Sequence, residues 1–230
     1  MIHFLGNSYA AVTLKEAARR RGLPLTEDSA EADLIFVSED TPTDEIGNRD
    51  LAPIRRLIDQ CLLGVPVVIT SQVTPGFCRS LGREDIYHQA ETLRIEDGIQ
   101  RAMYPEMFIV GAKSSGQAIS KEYLDYLESF ECPILNMSYE DAEFCKIAIN
   151  ATLISQVETA NMLSKCAERV GADWGKIAQA LRHDSRIGKY SYLTPGHWQN
   201  SKHLLRDYVT LKSIDIHNAD VGSKLLDAWK

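Results

Sequence analysis

Several features that would assign the chain to a broad functional class are missing. No block of basic residues occurs, and the 230 residues carry a formal net charge of −7. This charge argues against nucleic acid or an anionic membrane surface as a partner. No apolar run reaches transmembrane length, and the N-terminus lacks the charged-then-apolar pattern of a signal peptide. We therefore expect a cytoplasmic protein that does not associate with membranes.

The cysteines also lack the spacing of a disulfide framework or a metal site. The five cysteines are scattered and odd in number, which fits reduced thiols better than a disulfide framework. No Cys/His spacing is typical of a metal site, so no metal is expected. The chain also has no internal repeat and no low-complexity tract.

The segment after Tyr139 carries the strongest periodic signal. Apolar residues recur there at three- and four-residue steps: Phe144, Ile147, Ala148, Ala151, Ile154, Val157 and Ala160. This spacing predicts a helix that ends near Gly171, roughly 30 residues and about 45 Å long. Because apolar residues lie on more than one face, we expect two copies to pair through this helix as a homodimer.

The N-terminal part alternates apolar strands with helical patterns, which predicts a parallel α/β sheet. It opens with a strand at 2–5, a turn from Gly6 to Ala11 and a helix, the position of a Rossmann phosphate loop. Ser8 stands where the middle glycine of that loop belongs. Candidate cofactor residues are Gly6, Ser8, Tyr9, Asp28 (or its neighbour Glu27) as the ribose-binding acid, and Ser71 after a later strand. The alternative is a relic loop that preserves only the fold.

Lys146 and Asn150 lie four residues apart and therefore on one face of the long helix. A cation beside an amide donor suits a substrate oxygen that gains negative charge. The alternative is a solvated lysine beside an ordinary helix-face asparagine.

These residues belong to a series of spaced motifs. The motifs are Glu143…Lys146…Asn150, Glu168…Gly171-Ala172-Asp173, Asp184…Gly188 and Pro195-Gly196…Arg206-Asp207. In this order the segment resembles the UDP-glucose/GDP-mannose dehydrogenase family, and A-D-x-I-F-V, T-P-T-D and S-x-V-x-P-G extend the resemblance to the first half. It implies a shortened Rossmann-like NAD-binding domain over 1–137, followed by a long helix and an all-α dimerisation domain over 138–230.

The resemblance also implies a chemistry. Family members oxidise the 6-hydroxyl of a nucleotide sugar to a carboxylate with NAD, through a cysteine adduct. Carried over to this chain, Lys146 and Asn150 would stabilise the oxyanion and Asp207 would help to activate water. Glu91 falls on the family's active-site glutamate, although it could equally be a surface residue before a turn.

Three departures from the family limit this expectation. About ten residues separate the first helix from Ala32, where the family normally has a further helix and strand. The C-terminal nucleotide-binding domain of the family is not expected here. His203 takes the place of the catalytic cysteine, and histidine cannot form the oxidisable sulfur adduct. His203 would then be either a general base or simply an exposed loop residue.

The functional expectation follows from these departures. The chain is predicted to be a diverged NAD-dependent oxidoreductase that acts on a nucleotide sugar or another sugar and stops at the carbonyl. The alternative is a non-catalytic homologue that serves as a dimeric regulatory or assembly subunit, or as a nucleotide-binding module.

Overall fold

A computed structural model describes residues 1–44 and 48–214. The strands are β1 (Ile2–Leu5), β2 (Leu34–Val37), β3 (Val67–Ile69), β4 (Ile86–Gln89), β5 (Phe108–Ala112) and β6 (Ile134–Ser138). The helices are α1 (Tyr9–Arg20), α2 (Ala52–Ile58), α3 (Phe77–Ser80), α4 (Gly98–Met103), α5 (Lys121–Glu128), α6 (Tyr139–Arg169), α7 (Trp174–His183) and α8 (Lys202–Ser213). None of the helices in these ranges combines the length and the hydropathy needed to cross a membrane.

The described residues divide into two compact units. The first comprises residues 1–42 and 49–146 and holds the whole sheet. The second comprises the residues from Ile147 onward, together with Thr43, Asp44 and Asn48. The α/β sheet followed by a long helix and further helices confirms the predicted fold class.

The six strands lie in the order β1-β2-β3-β4-β5-β6. The pairs are parallel except β4 and β5, which run antiparallel with His88 opposite Gly111. The sheet is therefore mostly parallel and departs from the predicted parallel arrangement at this one pair. The segment between β4 and β5 stays at the edge of the sheet where β4 ends instead of crossing the sheet, so β5 runs back. The sequence of β4, Ile-Tyr-His-Gln, is half polar, and we had not predicted a strand there.

Alternating side chains of the strands build a core on each face of the sheet. One face carries Ile2, Phe4, Leu34, Phe36, Val68, Tyr87, Phe108 and Val110. The other carries Ile35, Val37, Val67, Ile69 and Ile86. Phe4 and Phe36 stack with ring centroids 4.9 Å apart. Burial on both faces explains why β2 and β3 read as continuous apolar runs.

The segment between α1 and β2 is short, as the sequence predicted. It contains a single 3₁₀ turn, Ser29–Glu31, and an isolated parallel bridge between Ile2 and Leu25. The bridge places Leu25 beside β1 on the side away from β2. The chain therefore leaves β1 on one side and returns to form β2 on its other side, which makes β1 the point where the strand order reverses. Such reversal points are where α/β sheets bind ligands, beyond the carboxyl ends of the strands.

The helix α2 ends at Ile58. The guanidinium of Arg83 donates to the carbonyl oxygens of Ile58 and Cys61, each at 3.2 Å, and of Leu62 at 3.1 Å. These bonds satisfy carbonyls that a further helical turn would otherwise have to pair.

The long helix α6 has 31 residues, which confirms the predicted length. Gly171 follows its end with φ of +73°, and the Ala172 amide donates to the Ala167 carbonyl at 2.8 Å. This left-handed glycine cap is the stop that the sequence indicated. Phe144, which the periodicity placed with the buried apolar residues, is 42% exposed.

A small core in the second unit forms around the residues of α6 beyond Ile147. It contains Ile154, Val157, Trp198 and Tyr208, and the rings of Trp198 and Tyr208 lie 5.2 Å apart. The Trp198 indole N–H donates to Glu158 at 2.7 Å. Trp198 therefore covers a core and anchors its own loop to α6.

Candidate functional site

Gly6 begins the turn after β1 under a close steric constraint. Its φ is +101°, and a Cβ at this position would lie 2.1 Å from the carbonyl oxygen of Ser38. Only glycine allows this approach between the turn and the end of β2. The turn therefore retains the tight backbone geometry that a phosphate loop requires.

Ser8 uses its side chain within the protein. It is the N-cap of α1, where its Oγ accepts from the Ala11 amide at 3.1 Å. The same hydroxyl donates to the Ser38 carbonyl at 3.0 Å and lies 2.9 Å from the Ser38 Oγ. With 5% of its surface exposed, Ser8 stabilises the helix start and ties the loop to β2.

Glu39 is a residue of this loop cluster that we had not predicted. Its carboxylate accepts from the Asn7 backbone amide at 3.2 Å and from the Asp40 amide at 3.1 Å. Its own amide donates to the Ser71 Oγ at 2.8 Å. The structure thus brings Gly6, Ser8 and Ser71 together around Ser38 and Glu39, at the carboxyl ends of β1, β2 and β3.

The sequence held a signal for Glu39. It follows the apolar run of β2 by two residues, and polar residues beyond the carboxyl ends of parallel strands are candidates for ligand contact. Its acidity is unexpected for a phosphate loop, since the backbone amides there should face a negatively charged group.

Tyr9 and Asp28 are the two remaining cofactor candidates. The Tyr9 hydroxyl donates to the carbonyl oxygens of Arg94 and Ile95, at 3.2 and 3.3 Å, and its ring lies against Gly98, where a Cβ would be 2.0 Å from the hydroxyl. Asp28 is the N-cap of the 3₁₀ turn and accepts from the Ala30 amide at 2.9 Å. Tyr9 thus joins α1 to the segment after β4, and Asp28 fixes a local turn.

Glu91 lies in the loop that follows β4, mostly shielded from water. Burial raises the pKa of its carboxyl group from 4.5 to about 7, against the opposing charges of Lys146 and Arg101. Its carboxylate accepts a hydrogen bond from the Leu93 amide and, with Arg101, lines a small pocket of about 30 Å³. A carboxyl group that titrates near neutral pH is suited to proton transfer.

Lys146 is half-buried and donates no hydrogen bond to any of the described residues. Its positive charge lies close enough to Glu91 to lower the pKa of that carboxyl group. Both residues belong to the first unit, so the structure places a cation within electrostatic range of a titratable carboxyl group.

Glu143, the first residue of the helix motif, has a structural role. Its carboxylate is 1% exposed and accepts from the amides of Gly76 and Cys78 at 2.6 and 2.8 Å. These bonds fasten the start of α3 to α6. Burial raises the pKa of Glu143, with the two amide bonds opposing.

Asn150 and Asp207 form a buried pair in the second unit. The Asn150 Nδ2 donates to the Asp207 Oδ2 at 2.5 Å, and Asp207 is fully buried. The amide nitrogen of Asn150 keeps a second hydrogen, which is available to another acceptor. Two residues 57 positions apart in the chain are thereby paired.

His203 lies one turn before Asp207 on α8. Its Nδ1 is in hydrogen-bond contact with the guanidinium of Arg206, and Arg206 is itself 6% exposed. No three His, Cys, Asp or Glu side chains of the described residues gather as a metal site.

The two units thus carry an α/β sheet with a glycine turn at its switch point, and a helix that bears a lysine and an asparagine one turn apart. Residues 140–229 match the central domain of the UDP-glucose/GDP-mannose dehydrogenase family. The chain is 30% identical over 173 residues to UDP-glucose 6-dehydrogenase TuaD of Bacillus subtilis, covering 69% of this chain and 37% of that protein. The chain belongs to the UDP-glucose/GDP-mannose dehydrogenase family.

Other comparisons agree with this assignment. UDP-glucose 6-dehydrogenase of Rickettsia bellii is 24% identical over 221 residues, covering 88% of this chain and 49% of that protein. The chain thus spans less than half the length of these two curated relatives. The chain is also similar to the structure of a UDP-glucose dehydrogenase from Pyrobaculum islandicum. The alignment covers 99% of this chain and 66% of that structure, with a TM-score of 0.74 at 19% identity. The alignment with the structure of a UDP-D-ManNAc dehydrogenase from Pyrococcus horikoshii covers 100% of this chain and 69% of that structure, with a TM-score of 0.77 at 15% identity. The two structures establish a shared fold.

Proposed function

We propose that the chain is a diverged nucleotide-sugar oxidoreductase whose chemistry is limited to one alcohol-to-carbonyl step. The observation that carries this proposal is the Glu91 carboxyl group, with its pKa near neutral, in electrostatic contact with Lys146. A base and a cation are the two protein groups that removal of a hydride and a proton from an alcohol requires. The substrate class, a nucleotide sugar, follows from the family.

Each residue has a role in this proposal. Glu91 takes the proton of the substrate hydroxyl, and Lys146 stabilises the oxygen as negative charge develops on it. In the second unit, Asp207 holds the Asn150 amide in place. NAD, when bound, accepts the hydride. No cysteine occurs in the stretch 197–203 before Asp207, where the family resemblance places the nucleophile, and the imidazole of His203 cannot form the sulfur adduct, so the reaction stops at the carbonyl.

The loop after β1 supports dinucleotide binding in shape and opposes it in charge. Gly6 gives the tight turn and α1 begins directly after it, while the Glu39 carboxylate occupies the Asn7 amide. NAD is therefore proposed as the cofactor on the strength of the fold and family, and its binding is the first quantity to measure.

The proposal is tested by incubating the full chain with UDP-glucose and NAD. NADH formation is followed by absorbance, and the carbonyl product is trapped with hydroxylamine and weighed by mass spectrometry. We expect one NADH per trapped carbonyl and no carboxylate. Lys146→Ala should lower the rate by about 100-fold, whereas Lys165→Ala, an exposed lysine on the same helix, should not. Two NADH per product, or no NADH with this substrate and with UDP-D-ManNAc, would refute the proposal.

A second candidate is a non-catalytic dimeric subunit, and one observation favours it. Beyond Ile147, α6 presents an uncharged exposed face that includes Thr152, Met162, Leu163 and Cys166. Met162 is 57% exposed and Leu163 is 36% exposed. A second copy of the same helix is the partner that we propose for this face, in line with the expected homodimer.

A further inference from the structure

The Glu39 carboxylate lies where a phosphate loop should present free backbone donors. It accepts from the Asn7 backbone amide at 3.2 Å. With the Asn7 side-chain amide oriented to satisfy its neighbours, the Nδ2 of Asn7 also donates to the Glu39 Oε1 at 2.8 Å. Both donors of Asn7 that face the loop are thus engaged by one carboxylate.

The position of Glu39 is fixed from two directions. Its backbone amide donates to the Ser71 Oγ at 2.8 Å, and its Oε1 accepts from the amide of Asp40 at 3.1 Å. Glu39 follows directly after Ser38, whose carbonyl oxygen contacts Gly6 and accepts from Ser8. Two backbone amides, those of Asn7 and Asp40, therefore hold the carboxylate at the loop.

A carboxylate at this place acts on ligands through its charge. A pyrophosphate that approached the turn would meet a like charge and would compete with it for the Asn7 amide. A hydroxyl would meet an acceptor, since carboxylates commonly accept from ribose hydroxyls in this fold. The loop is therefore poor for phosphate while it tolerates an uncharged nucleoside.

We propose that Glu39 is a specificity-determining residue that weakens the binding of phosphate-bearing ligands at the loop between β1 and α1. The proposal rests on the NAD-linked function proposed above, because it sets how strongly that cofactor binds. A purely structural role is the competing explanation, in which Glu39 only closes the loop. A charge filter discriminates among ligands by their phosphates, whereas a structural clamp affects all ligands alike.

The test measures calorimetric binding of NAD and of adenosine to the full-length wild type and to Glu39→Gln, which removes the charge at almost constant shape. We expect NAD affinity to rise at least tenfold, about 1.4 kcal/mol, and adenosine affinity to change less than twofold. The matched control is Asp40→Asn, an exposed neighbour whose side chain has no hydrogen bond among the described residues. It should change NAD affinity less than twofold.

The outcomes distinguish failure of the Glu39 proposal from failure of the oxidoreductase proposal. Tighter NAD binding by Glu39→Gln alone supports the filter, and if the wild type shows no NAD binding it also removes NAD as the natural cofactor. Equal NAD affinity in both proteins overturns the filter and leaves the oxidoreductase proposal standing. Equal gains for NAD and adenosine, or equal gains in Asp40→Asn, overturn it as well. Absence of binding in every variant overturns both. Thermal unfolding of each variant verifies that the loop is still folded. Glu39→Ala is measured as well, because it removes the side chain as well as the charge.

Discussion

Inside the second unit, the Asn150 Nδ2 on the long helix α6 donates to the Asp207 carboxylate on α8 at 2.5 Å. The pair therefore contributes to holding this unit together. A buried carboxylate that loses a donor keeps the cost of its desolvation.

Replacing Asn150 by alanine is expected to lower the free energy of unfolding by about 1–3 kcal/mol. Asn150→Asp should cost more, because it places two carboxylates in contact. Urea denaturation followed by circular dichroism gives both values. The control is Thr152→Ala, an exposed position on the same helix, which should cost less than about 0.5 kcal/mol. Equal stabilities of Asn150→Ala and the control would show that the pair is energetically neutral.

The Glu91 carboxyl group should make stability depend on pH. Its pKa in the folded protein, about 7, lies above its ordinary value of 4.5, so the folded state binds the proton more tightly than the unfolded state. Its contribution is fully present below pH 4.5 and is lost as the pH rises to about 7, to an extent of at most about 3 kcal/mol.

Glu91→Gln should therefore match the wild type near pH 4.5 and exceed its stability at pH 8. Urea midpoints across this range test the expectation, with Glu96→Gln, an exposed acid in the same loop, as the control. Parallel curves for the wild type and Glu91→Gln would mean that the Glu91 carboxyl group is solvated in the folded protein.

The sequence was sufficient for those parts of the fold that depend on periodicity. The buried strands β2 and β3 and the helix α6 were predicted because apolar spacing and the Gly171 stop act locally. β4 was missed because its His88 and Gln89 look polar in sequence, and only the packed sheet buries them. The antiparallel β5 depends on where the intervening segment runs, which local spacing does not encode.

The candidate site shows the same division. Motif spacing selected Lys146, Asn150 and Asp207, and the structure pairs the last two. Glu143, taken from the same motif, proves to anchor α3 through two amides, a contact 67 and 65 residues away in sequence. Glu39 was overlooked because its contact is with Asn7. Asn7 follows β1 whereas Glu39 follows β2, so the two residues are 32 positions apart in the sequence.

The uncharged face of α6 leads to a prediction about assembly. If two copies pair through it, Leu163→Glu should convert a dimer into a monomer, because an unpaired carboxylate at the interface is strongly unfavourable. Light scattering coupled to size-exclusion chromatography reports the mass directly. Leu63→Glu provides the matched control, since Leu63 is 82% exposed in the first unit. A wild-type chain that elutes with the mass of a monomer contradicts the pairing.

Gly6 and Gly22 offer a comparison that isolates the close approach between the turn and β2. Both have positive φ, +101° and +72°, but an added Cβ at Gly22 meets no atom within 4 Å, whereas at Gly6 it lies 2.1 Å from the Ser38 carbonyl oxygen. Gly22→Ala should therefore cost only the left-handed backbone penalty, about 1–2 kcal/mol. Gly6→Ala must also displace the end of β2, so we expect a loss of about 3 kcal/mol or more. Thermal and urea unfolding of the two variants measure the difference. Equal losses would indicate that the turn and the end of β2 can separate at little cost, and the loop cluster around Ser38 would then not be a rigid platform for a ligand.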